Sequence, residues 1–586
     1  MRLLLPLTLA AAITVNAQEF PAGYWTEAES QAVLDKVETI TLSPDLSKLT
    51  PQETAALKDL YEAGAIMQKL YEVQKHADAR GALDRLRVLD VQSNQSKRTQ
   101  NLLSLYRLSH GPIALTLDNK REAFLPVAPW TPGVNMYPAD ATKDEIDTFL
   151  KANPAMRDEI LGERTVVRRN TRRNLSLDIG PLNAFSLIRQ LHPGLMDRLK
   201  AMQTPGDGTG FYAVPYPVAY ADDLYKAYNL LMRAAETLEP SDAEFARYLR
   251  NRGRDLVTND YESGDASWVT GRFKRLNAQI GSYETYDDAL YGVKAFHSMS
   301  ILVADEKATA ELRKALGGIQ AIEDALPYES DRRVREDIPV GVYDVIADYG
   351  QARGTNTASI LPNDPLFSRR YGRTILLRQN IMRHPSIVAA NQRVFRAATA
   401  EAHADDLKDD GDFLRTLWHE IGHYLGPDRD KQGRTLDVAL EEYADATEEM
   451  KSDLVSLFAL QRMNHPSLRS IQAAGIRRVL QPVKPRRDQA YQTMQLIQFN
   501  WFVDKGLLKP DPATARLTVN YDKYADAVTS LLTEVLRLQQ SGDKAATAAF
   551  FDKWTKWGDM HEKLAARVRD AQGPRWRIVK YAALGE

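Results

Sequence analysis

The chain has 586 residues, with 76 Lys and Arg against 78 Asp and Glu and a net charge of −2, a balance that excludes generic binding to nucleic acid or another polyanion. It contains no Cys, so disulfides and thiolate metal sites are excluded and any metal must be held by His, Asp or Glu. With 44% apolar residues, it is long enough for two large domains or lobes.

Met1-Arg2, an apolar stretch from Leu3 to Val15, and Asn16-Ala17 before Gln18 read as a secretory signal peptide over residues 1–17. An exported, periplasmic protein is expected. The apolar stretch is shorter than the roughly 20 residues a bilayer span needs and no later segment approaches that length, so no membrane anchor is expected.

From Pro51 to about Tyr106 the apolar spacing predicts helix. A Pro-rich passage follows, and Thr142-Lys143-Asp144-Glu145 predicts the start of another helix. Segments 164–180 and 211–219 read as strands. In the first, Arg164, Arg168, Arg169, Arg172 and Arg173 would form one solvated basic face. Helix is expected from Ala221 to Arg250, and strands with turns from Ile338 to Leu361. After about Pro385 the chain reads as helical to its end. The acidic stretch from Asp405 to Asp412 fails the calcium-loop pattern, because Lys408 and Leu417 fall where oxygen ligands are needed. It is expected to cap the helix that follows.

That helix carries His419-Glu420-Ile421-Gly422-His423, an HExxH pentapeptide. Two His at i and i+4 project from one helical face and can reach a single tetrahedral metal. The Glu between them is placed to take a proton from water at the metal's open position. A third ligand is required, and a second helix is predicted from Thr435 to Met463. Its Glu449 and Asp453 share a face. Glu449 is the expected ligand, because the apolar run that begins at Leu454 marks the helix entering a core; Glu441, Glu442, Asp445 and Glu448 are rivals. Asp453 would accept the remaining N–H of a ligating His. The expected cofactor is one Zn2+ per chain, although such a donor set would also accept cobalt or manganese.

With these residues the chain resembles the dipeptidyl-peptidase III metallopeptidases, in particular shorter relatives whose zinc motif is a pentapeptide. The likeness rests on four places: His419 to His423, Glu448 to Asp453, Tyr283-Glu284-Thr285-Tyr286-Asp287-Asp288, and Gln489-Ala490-Tyr491. The resemblance implies that His419, His423 and Glu449 bind zinc and that Glu420 activates water. It implies that Tyr286 donates to the developing oxyanion and that Glu284 holds the substrate's α-amine. At Tyr491 the family has a His that helps stabilise the transition state; a phenol can donate a hydrogen bond there but cannot carry positive charge near neutral pH. Asp348, Asn356 and Asn363 fall in the family's peptide-aligning region, without assigned roles.

The fold implied is α+β, mostly α, with two lobes around a cleft. One lobe, of helices plus a small β-barrel, would take residues 18–304 with 340–388. The α-helical zinc lobe would take 305–339 with 389–586. The expected activity is release of dipeptides from the N-termini of oligopeptides. Two alternatives stand beside it: a non-catalytic peptide-binding protein with a retained zinc site, which Tyr491 favours, and a zinc hydrolase of non-peptide amides.

Overall fold

The computed structural model describes residues 20–586 apart from 205, 335–338, 355–356, 362–366, 368–369 and 487–488. The expected signal peptide, Asn356 and Asn363 lie outside the described residues.

Strand β1 (Val37–Leu42) leads into α1 (Pro51–Lys75), whose first turn is fixed by a capping box: Thr50 and Glu53 exchange side-chain to backbone hydrogen bonds, with Pro51 at the first helical position. Leu60, Ala63, Met67 and Leu70 are buried along one face. The helical pattern expected from Pro51 to about Tyr106 is present as three helices, α1, α2 (Ala79–Gln92) and α3 (Lys97–Ser109). His76 is extended after α1, and Asn94 and Gln95 turn the chain at positive φ before α3, local choices that periodicity does not report.

The strand expected over 164–180 stops early. β2 (Thr165–Thr171) pairs antiparallel with β3 (Asp207–Pro215), and Thr171 caps a helix over Arg172–Ala184. The basic residues are dispersed rather than presented as one face. Arg169 pairs with Asp140 and Glu145, and Arg168 with Asp178. Helix was expected without interruption from Ala221 to Arg250. The structure has α4 (Ala221–Leu238) and α5 (Ala243–Thr258), separated where Asp242 caps the second.

Five strands form the central sheet: β4 (Leu276–Ser282), β5 (His297–Ala304), β6 (Val340–Gly350), β7 (Ala358–Leu361) and β8 (Thr374–Arg378). They are hydrogen-bonded in the order β4-β5-β6-β8-β7, antiparallel except for the β6–β8 pair. The resemblance implied a small β-barrel; among the described residues the strands form this five-stranded sheet, whose end strands, β4 and β7, are not paired with each other. α1 packs on β5 and β6. Gly64 permits this close approach, since a Cβ there would stand 2.3 Å from the Tyr349 ring.

The sheet lies between two apolar cores. Along β8, Leu376 joins the first core while Ile375 and Leu377 join the second, the alternation that a two-residue period imposes. The first core gathers α1, α4, α5 and most of the sheet. The second gathers α6 (Gly411–Gly422), α7 (Ala444–Arg462), α8 (Leu468–Arg478), α9 (Ala490–Asp504) and the helices that follow. The fold is α+β, mostly α, in two lobes.

The chain end departs from the expected division. β9 (Trp576–Tyr581) returns to pair parallel with β1, and Val579 and Tyr581 are buried in the first core. The zinc-lobe segment expected to run to residue 586 therefore leaves that lobe before the end. Here a short β-forming run finds an unpaired strand edge far away in sequence. No helix among the described residues is long and apolar enough to cross a membrane.

α6 and α7 meet at very close range. A Cβ at Gly422 would stand 2.7 Å from the Ser452 carbonyl oxygen and 2.9 Å from its Cα. Gly422→Ala is therefore expected to force the two helices apart and to cost about 1–3 kcal/mol. Denaturant unfolding of the variant against the parent checks this.

Candidate metal centre

α6 buries Leu417, Trp418 and Ile421 in the second core, which turns His419, Glu420 and the cap residue His423 toward the inter-lobe face. The acidic residues before it do not cap it. Asp410 at the N-cap position makes no capping hydrogen bond and takes the Ser467 hydroxyl instead; Asp412 pairs with Arg477, Asp406 with Tyr521 and Asp405 with Arg396. They tie the start of the helix to its neighbours.

The helix expected from Thr435 to Met463 is broken at Glu441, which has φ of 50°. Glu441 and Glu442 are left pairing with Lys544 at the surface, whereas α7 carries Glu449 to the two His. Glu449 Oε2 lies 3.2 Å from His419 Nε2 and 3.9 Å from His423 Nε2. One donor atom from each of the three residues lies within 4.8 Å of the others. Two donors at about 2.1 Å from one tetrahedral ion stand roughly 3.4 Å apart, which these distances bracket. Glu449 Oε2 is also buried without a well-formed hydrogen bond, a lone oxygen that a cation in the gap would satisfy. Two imidazoles and a carboxylate thus fit a zinc ion in both spacing and chemistry.

The outer nitrogens are held as well. His419 Nδ1 is 2.7 Å from Asp453 Oδ1, and His423 Nδ1 is 3.0 Å from both Glu448 Oε1 and Ser452 Oγ. Each ring is oriented so that Nε2 faces Glu449. Burial alone would raise the Asp453 carboxyl, but Arg478, His419 and Arg415 hold it far below the usual carboxylate range. Arg415 Nη1 donates to it at 2.9 Å, Arg478 Nε at 3.3 Å and Gln498 Nε2 at 3.4 Å.

Glu448, Ser452 and Lys451 are contributions the sequence reading missed, Glu448 having been weighed only as a rival ligand. Lys451 is buried and donates to Glu448 Oε1 and to the carbonyls of Gly422 and Leu425, all at 2.7–2.8 Å. It thereby closes the C-terminal end of α6, where a cation is favoured by the helix dipole. A Lys set inside the acidic run from Glu448 to Asp453 was the available signal.

Across the cleft stands the β4–β5 connection, residues 283–296. Tyr283 anchors its start by donating to Asp265 at 2.6 Å. Asp288, buried, accepts from the backbone N–H groups of Leu290, Tyr291, Val293 and Lys294 and from the Tyr137 hydroxyl. Asp287 accepts from Tyr71 and Gln351. Between these anchors Tyr286 is 80% exposed, so it contributes little to packing. Shielding by the protein around it, then the carboxylates of Glu284 and Glu449, push its phenol up to about 12, leaving it a hydrogen-bond donor at neutral pH. Glu284 is thus beside Tyr286, and Tyr286 lies near enough to Glu449 to be affected by its charge.

Glu420 is half-buried, and its carboxylate accepts no hydrogen bond from the described residues. Tyr491, in the first turn of α9, donates its hydroxyl to Glu449 Oε1 at 2.8 Å. The phenol expected to face substrate thus braces a candidate metal ligand, leaving the other carboxylate oxygen free for an ion. Tyr491→Phe is expected to weaken zinc binding about tenfold, as read by competition with a chelator. Unchanged affinity would show that the hydroxyl has no part in holding Glu449.

No family model matches the chain. A plant protein from Arabidopsis thaliana described as Nudix hydrolase 3 is 25% identical over 578 residues, covering 90% of this chain and 71% of that protein. Among solved structures, dipeptidyl-peptidase III from Caldithrix abyssi superposes with a TM-score of 0.78 at 23% identity, covering 95% of this chain and 99% of that one. Dipeptidyl-peptidase III from Corallococcus sp. strain EGB gives 0.72 at 24% identity, with 96% and 98% covered. Over nearly its whole length the chain has the two-lobed fold of the dipeptidyl-peptidase III structures.

Proposed function

We propose that the chain is a zinc metallopeptidase that releases dipeptides from the free N-termini of oligopeptides. The observation that carries this reading is the convergence of His419, His423 and Glu449 opposite an exposed Tyr286 and its neighbour Glu284. Likeness of fold to the two dipeptidyl-peptidase III structures supports it.

His419 Nε2, His423 Nε2 and Glu449 Oε2 would hold the zinc, which when bound acts as a Lewis acid toward the scissile carbonyl and water. Glu420 takes the proton of the attacking water on its carboxylate and returns it to the leaving amine. Tyr286 donates from its hydroxyl to the developing oxyanion. Glu284 receives the substrate's α-ammonium, because an ammonium in a closed cleft is costly unless paired. That pairing sets the register and hence the dipeptide product. The N-terminal pattern of Met1 to Ala17 supports export to a periplasm.

The test is a panel of free and N-acetylated tetrapeptides, with fragments followed by mass spectrometry. Dipeptides are expected from the free peptides alone. Equal cleavage of acetylated peptides would remove Glu284 from its role, and stoichiometric binding without cleavage would favour a peptide-binding protein. Tyr286→Phe is expected to lower kcat on the free peptides by about 10²-fold with little change in KM.

A further inference from the structure

Next to the Tyr286 loop, with Asp287 in its wall, the first lobe contains a cavity of about 280 Å³. Its walls are formed by the end of α1, the chain after α3 and the start of β9. Two cations line it. Lys75 Nζ donates to the Ser109 carbonyl at 2.8 Å and lies 5.2 Å from the centre of the Tyr71 ring, and it makes no ion pair among the described residues. Arg121 lies 4.4 Å from the Trp130 ring and is likewise without a carboxylate partner among the described residues. Burial pushes the Lys75 ammonium down; Asp287 partly restores it and Arg121 lowers it again. A desolvated ammonium with donors to spare beside a guanidinium is an unbalanced arrangement that an anion would relieve.

The remaining wall excludes a bare inorganic ion as the best fit. Trp130 and Trp576 both line the cavity, together with apolar residues such as Val33 and Leu115. Such a wall gains by covering carbon surface, and flat rings gain most against indoles. A few charged or polar groups in a mostly apolar lining are the usual architecture of a small-molecule site. Asp287, the carboxylate in the lining, is adjacent to Tyr286 in the chain and is held by Tyr71 and Gln351, so the cavity shares a wall with the loop across from the metal centre.

We propose that this cavity binds a small organic carboxylate with a flat apolar body, its carboxylate at Lys75 and Arg121 and its body against Trp130 and Trp576. None of the candidate metal ligands lines it, and the proposal does not depend on the chain being a peptidase.

Isothermal titration of the full chain with indole-3-acetate, and with indole-3-acetamide as the neutral counterpart, tests it. Saturable binding of the acid is expected, with a dissociation constant on the order of 1 mM or tighter for a ligand of that size. The amide should bind about tenfold more weakly. Arg121→Gln, at an exposed position that should not disturb folding, and Lys75→Met should each weaken the acid about fivefold or more. Asp287→Asn, which removes negative charge from the wall, should tighten it about threefold. No saturable heat with the acid, equal affinity for acid and amide, or indifference to both cation variants would overturn the assignment. Weakened binding in Asp287→Asn would overturn the placement of the carboxylate beside the two cations.

Discussion

Glu420→Gln is expected to retain one zinc per chain while losing about 10³-fold or more in kcat. Glu420 follows the candidate ligand His419 on α6, yet its carboxylate accepts no hydrogen bond among the described residues and is only half-buried. An isosteric amide there removes nothing that holds the fold, so stability and metal content should both survive. In the proposed mechanism it removes the group that accepts a proton from the attacking water and passes it on. General bases contribute typically 10²–10⁴-fold, and the same residue serving twice in one cycle places the loss toward the upper end. Turnover by the metal-loaded variant at the parent's rate would show that Glu420 is not the base. Loss of zinc would instead make it a structural residue of the centre.

The second large effect is expected at Asp453. Its carboxylate is shared by His419, Arg415, Arg478 and Gln498, and both Arg415 and Asp453 are buried. Asp453→Ala leaves a buried guanidinium unpaired and His419 Nδ1 without its acceptor. Removing one partner of a buried pair costs about 3–5 kcal/mol, and losing the acceptor behind a ligating His lowers metal affinity about 10–100-fold. Denaturant unfolding measures the first effect and chelator competition the second. Asp453→Asn separates them, because it keeps the volume and one acceptor oxygen while removing the charge. A variant with parental stability and zinc affinity would refute the role of Asp453 as the common anchor of α6, α8 and the metal ligand.

The parts of the site legible in the sequence are those fixed by helical geometry alone. His419 and His423 share a face whatever surrounds them, and Glu449 and Asp453 share another for the same reason. Which carboxylate of the acidic run would reach the His pair depended on a break at Glu441 and on the contact of Gly422 with Ser452, neither of which is periodic. Glu448 was therefore read as a rival ligand, although it accepts from His423 Nδ1, and Lys451 was not read at all. Tyr491 shows the limit of carrying a role across by position. The family's His points to a transition-state donor, but the phenol is longer, and in this chain it reaches Glu449. Tyr286 is brought opposite the centre by the β4–β5 connection, whose shape is set by the many bonds to Asp288 and not by local propensity. The acidic stretch before α6 was legible as charge but not as partnership. Besides the nearby Arg396, its carboxylates meet Ser467, Arg477 and Tyr521 from distant parts of the chain, and only packing reveals that.

The measurement that tests the account most directly is the zinc content of the purified chain from Gln18, alongside His419→Ala, after gel filtration in chelator-treated buffer. The account predicts about one zinc per parent chain and none retained by the variant. A parent chain without zinc, or a variant that keeps it, would contradict the assignment of His419, His423 and Glu449 as the metal centre.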